Sequence, residues 1–349
     1  MATAVCIREM EEADLPRCVD LCMAAYSNHF FQLLQEQYGR LGNAAWEEIE
    51  RAAVWATFAQ YRDQMLVATL DHKVVGYVLY HYTRLLDGHV GIGYLSNNAV
   101  DPGLQGRGIG KLLGHAVLET FRRLQLSYAR TTTSSQACQA PARRVYQRLG
   151  YKWCRESLDW TIDLRKYPIK ACQPEGMPSV TIRWATPVDL KRILAIGLTY
   201  FDGISLYAQW QHCGLETDCD WQAIQRELVG KAMPRWIEHT LVTEINGEVI
   251  GYIAFDMDEE TGVGTTNVLR GQGEDMALNN AIEPRYRGKG LEAYQLAHVL
   301  EIFQDKGLAV GITRSLHTEA LTQLGHTFDY SAWGFTPLRG YVDLFMRLN

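Results

Sequence analysis

The sequence contains no run of about 20 apolar residues, the length that a membrane-spanning helix needs. Its first residues also lack a basic segment followed by an apolar one, so we expect no secretory leader. Neither a membrane partner nor an extracellular location is therefore expected. We predict a cytoplasmic protein.

Concentrated positive charge is also missing. The chain has 34 Lys and Arg against 40 Asp and Glu, a formal net charge of -6, and its basic residues are scattered. A protein that binds a nucleic-acid backbone needs a basic patch or stripe. Nucleic acid is therefore not an expected partner.

The eight cysteines show no paired spacing of a disulfide framework or a zinc site. Cys18 and Cys22 lie four residues apart, and Cys213 and Cys219 lie near His212. No Cys-x-x-Cys pair with a matching second pair occurs, however. We expect reduced thiols and no metal.

The chain repeats itself. Its Val5–Arg8 segment returns 175 residues later as Val180–Arg183. The six residues Asn97–Pro102 return 182 residues later as Asn279–Pro284, with four identities and two conservative exchanges. A length of 349 residues already favours two domains. We predict an N-terminal domain over 1–165, a proline-containing linker over 166–178 and a C-terminal domain over 179–349.

Each repeat has the same order of predicted elements. A short strand is followed by helices, then by a hairpin that turns at Asp71-His72 in the first copy and at Asn246-Gly247 in the second. Another strand, 93–100, leads into a glycine-rich loop and an amphipathic helix. The pattern predicts an α/β fold with a mixed, mostly antiparallel sheet flanked by helices.

The loop Gln105-Gly106-Arg107-Gly108-Ile109-Gly110-Lys111 predicts an anion site. A helix that starts here offers unpaired backbone N–H groups and the positive end of its dipole, and glycine lets an anion approach the backbone. A dinucleotide-binding loop is an alternative, but this loop follows the fourth strand and no acidic residue follows at the expected spacing. A pyrophosphate of another kind of cofactor is favoured.

The loop follows Val100-Asp101-Pro102, and the pattern Ala142-x-x-x-Tyr146-x-x-x-Gly150-Tyr151 follows about 35 residues later. In this order the motifs resemble the GCN5-related N-acetyltransferase family over residues 4–164. The resemblance implies two tandem acyl-CoA N-acyltransferase domains. It also implies acetyl-CoA, or another acyl-CoA, as co-substrate and no metal.

The resemblance further implies which residues form the site. In the family the strand before the loop separates from its neighbour at a bulge. The residues expected to bind the cofactor are Asn98, Ala99, Val100, Gln105, Gly106, Arg107, Gly108, Ile109, Gly110 and Lys111. Tyr146 matches the tyrosine that serves as general acid towards the coenzyme sulfur, although an aromatic that only packs on the sheet is the alternative.

The general base is not identified. Many relatives carry a glutamate on the fourth strand, which this strand lacks. Asp87, His89, Tyr94, and Ser96 acting through a water are candidates, and the amine could also arrive deprotonated. The acceptor pocket is expected in the aromatic-rich segment 26–61, whose aromatics could equally be core residues.

In the second copy Arg287, Gly288, Lys289 and Gly290 correspond to Gln105, Gly106, Arg107 and Gly108, but Glu292 stands where the first copy has Gly110. A carboxylate there would satisfy the helix dipole and repel a pyrophosphate, so we predict a degenerate second domain. The sequence thus predicts an N-acyltransferase, a monomer, that acts on an amine of a small molecule or peptide. The alternatives are a non-catalytic acyl-CoA-binding or regulatory module, and an O-acyltransferase or thioester decarboxylase on the same fold.

Overall fold

The computed structural model describes residues 4–26, 28–166, 168–177, 179–200, 220–266, 280–317 and 329–348. In these ranges the helices are α1 Leu15–Ala25, α2 Phe30–Tyr38, α3 Trp46–Gln60, α4 Ile109–Arg123, α5 Ala140–Leu149, α6 Leu190–Tyr200, α7 Trp221–Trp236 and α8 Leu291–Asp305. The strands of the first repeat are β1 Cys6–Glu9, β2 Met65–Leu70, β3 Lys73–Leu85, β4 Val90–Val100, β5 Tyr128–Ser134 and β6 Lys152–Asp163. The strands of the second are β7 Val180–Trp184, β8 Thr240–Ile245, β9 Glu248–Asp258, β10 Val263–Thr266, β11 Asn280–Ile282, β12 Val310–His317 and β13 Thr336–Arg347.

All thirteen strands join in one sheet. Its order is β1-β2-β3-β4-β5-β13-β6-β12-β10-β9-β8-β7, and β11 pairs with β9. The β4–β5 and β10–β12 pairs are parallel and the remaining pairs are antiparallel. The predicted fold class, a mixed and mostly antiparallel sheet flanked by helices, is confirmed. The predicted linker lies between β6 and β7.

Both predicted hairpin turns are confirmed. Asp71 and His72 have φ of 50° and 62°, and Asn246 and Gly247 have φ of 54° and 79°. Two successive residues with positive φ form the tight turn whose twist matches that of paired strands. The two copies therefore make the same turn, with different residues that tolerate the left-handed region.

Helices cover both faces of the first repeat's sheet. Along β2, Leu66 and Ala68 pack with α4, whereas Met65 and Val67 pack with α1 and α3. Successive residues of a strand point to opposite faces, so the unbroken apolar run of β2 is that of a strand buried on both sides.

The two repeats exchange their last strands. β13, from the end of the chain, lies between β5 and β6, and it pairs with both of them. β6 in turn pairs with β12 of the second repeat. The side chains of Val342 and Leu344 on β13 belong to the same buried cluster as α4. Each repeat therefore completes its core with a strand from the other.

Buried ion pairs hold the exchanged strands. Asp343 of β13 accepts a hydrogen bond from Arg155 Nε at 2.8 Å and lies 3.5 Å from Arg130 Nη2 on β5. The equivalent pair on the other side of the exchange joins Asp159 of β6 to Arg314 of β12. Asp159 accepts a hydrogen bond from Arg314 Nε at 2.7 Å. The side chains of both aspartates are at most 6% exposed. An aspartate–arginine pair therefore joins each exchanged strand to a strand beside it.

No helix in the described part of the chain is long and apolar enough to cross a membrane. Cys6, Cys18, Cys22, Cys138 and Cys172 are free thiols. The expectation of reduced thiols is wrong for Cys154, which is disulfide-bonded. Residues 212, 213 and 219 lie outside the described ranges.

We expect Asp343→Asn to destabilise the protein by about 3 to 5 kcal/mol, because it leaves buried guanidinium groups without their carboxylate. The two arginines hold the pKa of Asp343 well below its usual range. Its contribution should therefore be present above about pH 4 and be lost as the pH falls through that lowered pKa. Chemical denaturation measures both effects. Asp63→Asn is the control, since that side chain is 93% exposed, and an equally small loss in both variants would contradict the role of the pair.

Candidate functional site

A cavity of about 730 Å³ opens where β4 ends. Its walls come from the end of β4, the glycine-rich loop, the start of α4, and α5. Tyr26, which directly follows α1, also lines it, as do Arg339 and Tyr341 of the exchanged strand β13. Residues of both repeats therefore meet in one cavity.

The strand β4 separates from β5 beside this cavity. Parallel pairing ends at Leu95–Thr131, although β4 continues to Val100. Opposite β3 the register shifts after Leu95, so that Ser96 is the extra residue of a bulge. The expected splaying is therefore observed, and the backbone groups of the last β4 residues that face β5 can bind a ligand instead.

The glycine-rich loop forms an open cradle. Gly106 and Gly108 have φ of 79° and 82°, and a Cβ built on either would have no atom within 4 Å. Gly108 is the residue before α4, so the unpaired N–H groups of the first helical turn face the cavity. The arrangement fits a pyrophosphate group, which needs free N–H donors and room for its oxygens.

Nine of the ten residues predicted to bind the cofactor line the cavity. Arg107 is exposed but does not line it. Two exposed arginines of α5, Arg144 and Arg148, line it together with Lys111 and were missed. They follow the loop by more than 30 residues, so only the fold brings these positive charges into the same cavity as the glycine-rich loop.

Tyr146 of α5 lines the cavity. Its hydroxyl accepts a hydrogen bond from Asn98 Nδ2 at 2.6 Å, and the side chain is 6% exposed. Burial raises the pKa of the Tyr146 phenol, while hydrogen bonds with Asn98 and Thr131 act in the opposite direction. The phenol is therefore protonated at neutral pH and keeps a hydrogen that it can donate.

Tyr26, the first residue of the aromatic-rich segment 26–61, is a second tyrosine beside the end of β4. Its hydroxyl donates to the backbone oxygen of Asn98 at 2.7 Å. Burial raises the pKa of Tyr26 well above its ordinary value, so it too is protonated. It fixes the bulged end of β4 from the side opposite Tyr146.

The candidates for a general base do not lie together. Asp87 and His89 are exposed in the turn between β3 and β4 and do not line the cavity. Tyr94 is buried and stacks on His81 at 4.7 Å. Of the four candidates only Ser96 lines the cavity.

A carboxylate that the sequence did not indicate as a site residue, that of Glu50, also lines the cavity. Glu50 of α3 is 17% exposed, and its Oε1 lies 3.4 Å from Nδ1 of His29. No spacing relative to the loop indicates it, because α3 precedes the loop by some 45 residues.

The aromatic residues of segment 26–61 lie in three environments. Tyr26 and Phe30 line the cavity. Phe58 is instead fully buried in the core and packs against Tyr77 with ring centroids 5.0 Å apart. Trp55 is 45% exposed. The segment is therefore partly pocket and partly core.

A sequence model described as the acetyltransferase (GNAT) family matches residues 27–151 and 198–324, once in each repeat. The chain belongs to the GNAT family. No curated protein matches it. Among solved structures, a GCN5-related N-acetyltransferase from Sphaerobacter thermophilus is 17% identical with a TM-score of 0.63, over 99% of this chain and 96% of that one.

A tandem GNAT protein from the clavulanic acid biosynthesis pathway is 13% identical, with a TM-score of 0.55 over 99% of both chains. A glucosamine N-acetyltransferase region of a fungal multi-domain β-N-acetylglucosaminidase is 15% identical, with a TM-score of 0.63 over 99% of this chain and 38% of that one. At these identities the likeness establishes the fold alone. Two tandem GNAT folds account for the whole chain.

The second GNAT repeat has the same loop backbone but different chemistry. Gly290 before α8 has φ 82° and ψ 2°, the same values as Gly108. Burial raises the pKa of the half-buried Glu292 carboxyl, while the nearby backbone N–H groups of Glu292 and Gly288 act in the opposite direction. Pro174 of the predicted linker lies 3.5 Å from a Cβ built on Gly290. A carboxylate and a proline thus stand where the first repeat is open.

We expect Gly110→Glu, which copies Glu292 into the first repeat, to weaken acyl-CoA binding by about tenfold or more. The new carboxylate would accept the N–H groups that a pyrophosphate needs and would repel its charge. Gly110→Ala is the matched control, because a Cβ there meets only Val100 Cγ2 at 3.8 Å. Calorimetric titration measures the affinity and thermal unfolding checks the fold. Equal affinity in the two variants would show that the loop does not bind the anion.

Proposed function

We propose that this GNAT protein is an acyl-CoA-dependent N-acyltransferase, with acetyl-CoA as donor and an amine as acceptor. The observation that carries the proposal is the meeting of three parts in one cavity. These are the open glycine cradle, the splayed end of β4, and the Tyr146–Asn98 pair at 2.6 Å. A binding module without chemistry would need the first two parts but not a buried, protonated phenol beside them.

The chemistry follows from these positions. The cradle and the cations of Lys111, Arg144 and Arg148 would hold the phosphates, and the free backbone groups after Leu95 would hold the pantetheine arm. The neutral amine nitrogen forms a bond to the thioester carbonyl carbon, the amine releases one proton to water or a base, and the carbon–sulfur bond breaks. The leaving thiolate takes the hydrogen of the Tyr146 hydroxyl.

The proposal places one working donor site in residues 1–165 and a structural, pocket-completing role in residues 179–349. Glu292 and Pro174 support this division, because Glu292 lies in the first turn after the second loop and Pro174 of the linker lies against Gly290. We further propose a cytoplasmic monomer, since the tandem repeats already contribute to one continuous sheet.

Tyr146→Phe should lower kcat by about 100-fold or more while changing acyl-CoA affinity little, because only the proton donor is lost. The raised pKa of Tyr146 predicts that its ionisation does not reduce kcat of the parent enzyme below about pH 10. Tyr151→Phe is the matched control. Tyr151 lies 5.8 Å from Tyr146 between ring centroids and does not line the cavity. A thiol-release assay with acetyl-CoA measures the rate, and equal rates for both variants would remove Tyr146 from the mechanism.

Titration of acetyl-CoA into the full chain should give one site per chain. The full chain is needed because each repeat contains a strand of the other. Two sites would contradict the occluded second loop. Binding without release of coenzyme thiol in the presence of any amine would instead favour an acyl-CoA-binding module, and release dependent on an alcohol, or on no acceptor, would favour the O-acyltransferase or decarboxylase alternatives.

A further inference from the structure

A carboxylate and an imidazole face each other on the wall of the cavity at the end of β4. Among the described residues that line this cavity, Glu50 carries the only carboxylate and His29 the only imidazole. Oε1 of Glu50 lies 3.4 Å from Nδ1 of His29. The side chain of Glu50 is 17% exposed and that of His29 is 4% exposed. Glu50 is therefore the member of the pair that a ligand in the cavity can touch more readily.

The ring of His29, which directly precedes α2, is held from three directions. It stacks on Trp46 of α3 with ring centroids 5.4 Å apart. Trp46 and Glu50 lie four positions apart on α3, so both project from one face of that helix. Nε2 of His29 lies 3.2 Å from the backbone oxygen of Met23. The ring therefore cannot turn away from Glu50 without losing these contacts.

The contact with Met23 decides which ring nitrogen carries the hydrogen. A carbonyl oxygen can only accept, so Nε2 of His29 donates to it. In the neutral ring Nδ1 is then an acceptor, and it faces a second acceptor, the carboxylate of Glu50. A hydrogen bond joins Nδ1 to this carboxylate only when the pair holds one additional proton. The pair is therefore arranged to accept a proton on the wall of the cavity.

Short contacts connect this pair to the end of β4. The ring of His29 meets the ring of Tyr26 edge-on, with centroids 5.9 Å apart. The Tyr26 hydroxyl donates to the backbone oxygen of Asn98 at 2.7 Å, and the Asn98 side chain donates to the Tyr146 hydroxyl at 2.6 Å. Glu50 and Tyr146 line the same cavity. A proton-accepting pair and the proposed proton donor are thus separated, along these contacts, by Tyr26 and Asn98.

Two further titratable groups of the cavity wall stay protonated. Burial raises the pKa of Tyr26 well above its ordinary value, and it raises the pKa of the Cys22 thiol to about 11. Both residues line the cavity, and neither accepts a proton at neutral pH. The lysine and the arginines of the wall already carry their protons at that pH. These observations favour the pair of Glu50 and His29 as the proton acceptor.

We propose that Glu50 is the general base towards the acceptor amine, and that His29 positions its carboxylate and shares the proton. The inference rests on the proposed N-acyltransferase function and names the base that this function leaves open. As the amine nitrogen forms its bond to the thioester carbon, its N–H proton moves to a Glu50 oxygen and the N–H electron pair stays on nitrogen. The proton is then shared with Nδ1 of His29. It returns to water, which also restores the hydrogen of Tyr146, after the thiol has left.

The first test compares Glu50→Gln with the parent protein on ethylamine and on 2,2,2-trifluoroethylamine, with acetyl-CoA as donor. For ethylamine we expect kcat/KM to fall by about 100-fold or more, the usual contribution of a general base. For trifluoroethylamine the loss should be about tenfold smaller, because fluorine makes the N–H of the adduct acidic enough for water to remove it. A purely structural loss would slow both amines by the same factor.

Glu47→Gln is the matched control, because Glu47 lies on the same helix, is exposed and does not line the cavity. It should leave both rates unchanged. Calorimetry with acetyl-CoA and thermal unfolding check donor binding and the fold of each variant. If folded Glu50→Gln protein acetylates both amines at the parent rates, or slows both equally, the inference fails and the proposed function stands. If the parent protein does not bind acetyl-CoA, or acetylates neither amine, the proposed function fails as well.

The second test is His29→Phe, which keeps an aromatic ring against Trp46 and removes both ring nitrogens. This change should lower kcat/KM for ethylamine by about tenfold or more, and it should again affect trifluoroethylamine less. Thermal unfolding shows whether the variant is folded, and if it is not, Glu50→Gln decides alone. A folded His29→Phe protein that acetylates ethylamine at the parent rate would overturn the role of His29.

Discussion

The exchange of β6 and β13 is the constraint on which the rest of the structure depends. Neither repeat has a complete sheet without the strand that the other supplies. The exchange is fixed by a buried carboxylate on each strand, Asp159 and Asp343, that pairs with an arginine on the neighbouring strand. Losing one partner of a buried pair is far more costly than losing a surface pair. The charge pairs therefore fix which strand lies beside which.

This constraint also shapes the functional site. Because β13 lies beside β5, Arg339 and Tyr341 reach the cavity that the first repeat forms with its own loop and α5. The second repeat thus takes part in the site without using its own loop. It supplies one wall of that cavity.

The two glycine-rich loops share a backbone conformation but differ in their side chains. Gly108 and Gly290 have the same dihedral angles, so the turn into the helix survived in both copies. The first helical turns differ in their side chains, with glycine at 110 and glutamate at 292, and lysine at 111 and alanine at 293. A helix N-terminus is equally well satisfied by its own carboxylate or by a bound anion. The conformation of the loop therefore does not reveal whether it binds a ligand.

The sequence by itself determined the duplication, the hairpin turns, the mixed sheet and the glycine loop, because each depends on residues close together in the chain. It also indicated Tyr146 through the fixed spacing to Gly150. It could not indicate Arg144 or Glu50, since nothing in their local pattern distinguishes them from other surface or core residues. Only the tertiary structure decided that the repeats exchange strands. The alternating side chains of β6 and β13 would suit the sheet of either repeat. Which sheet each strand joins depends on contacts between residues more than 150 positions apart.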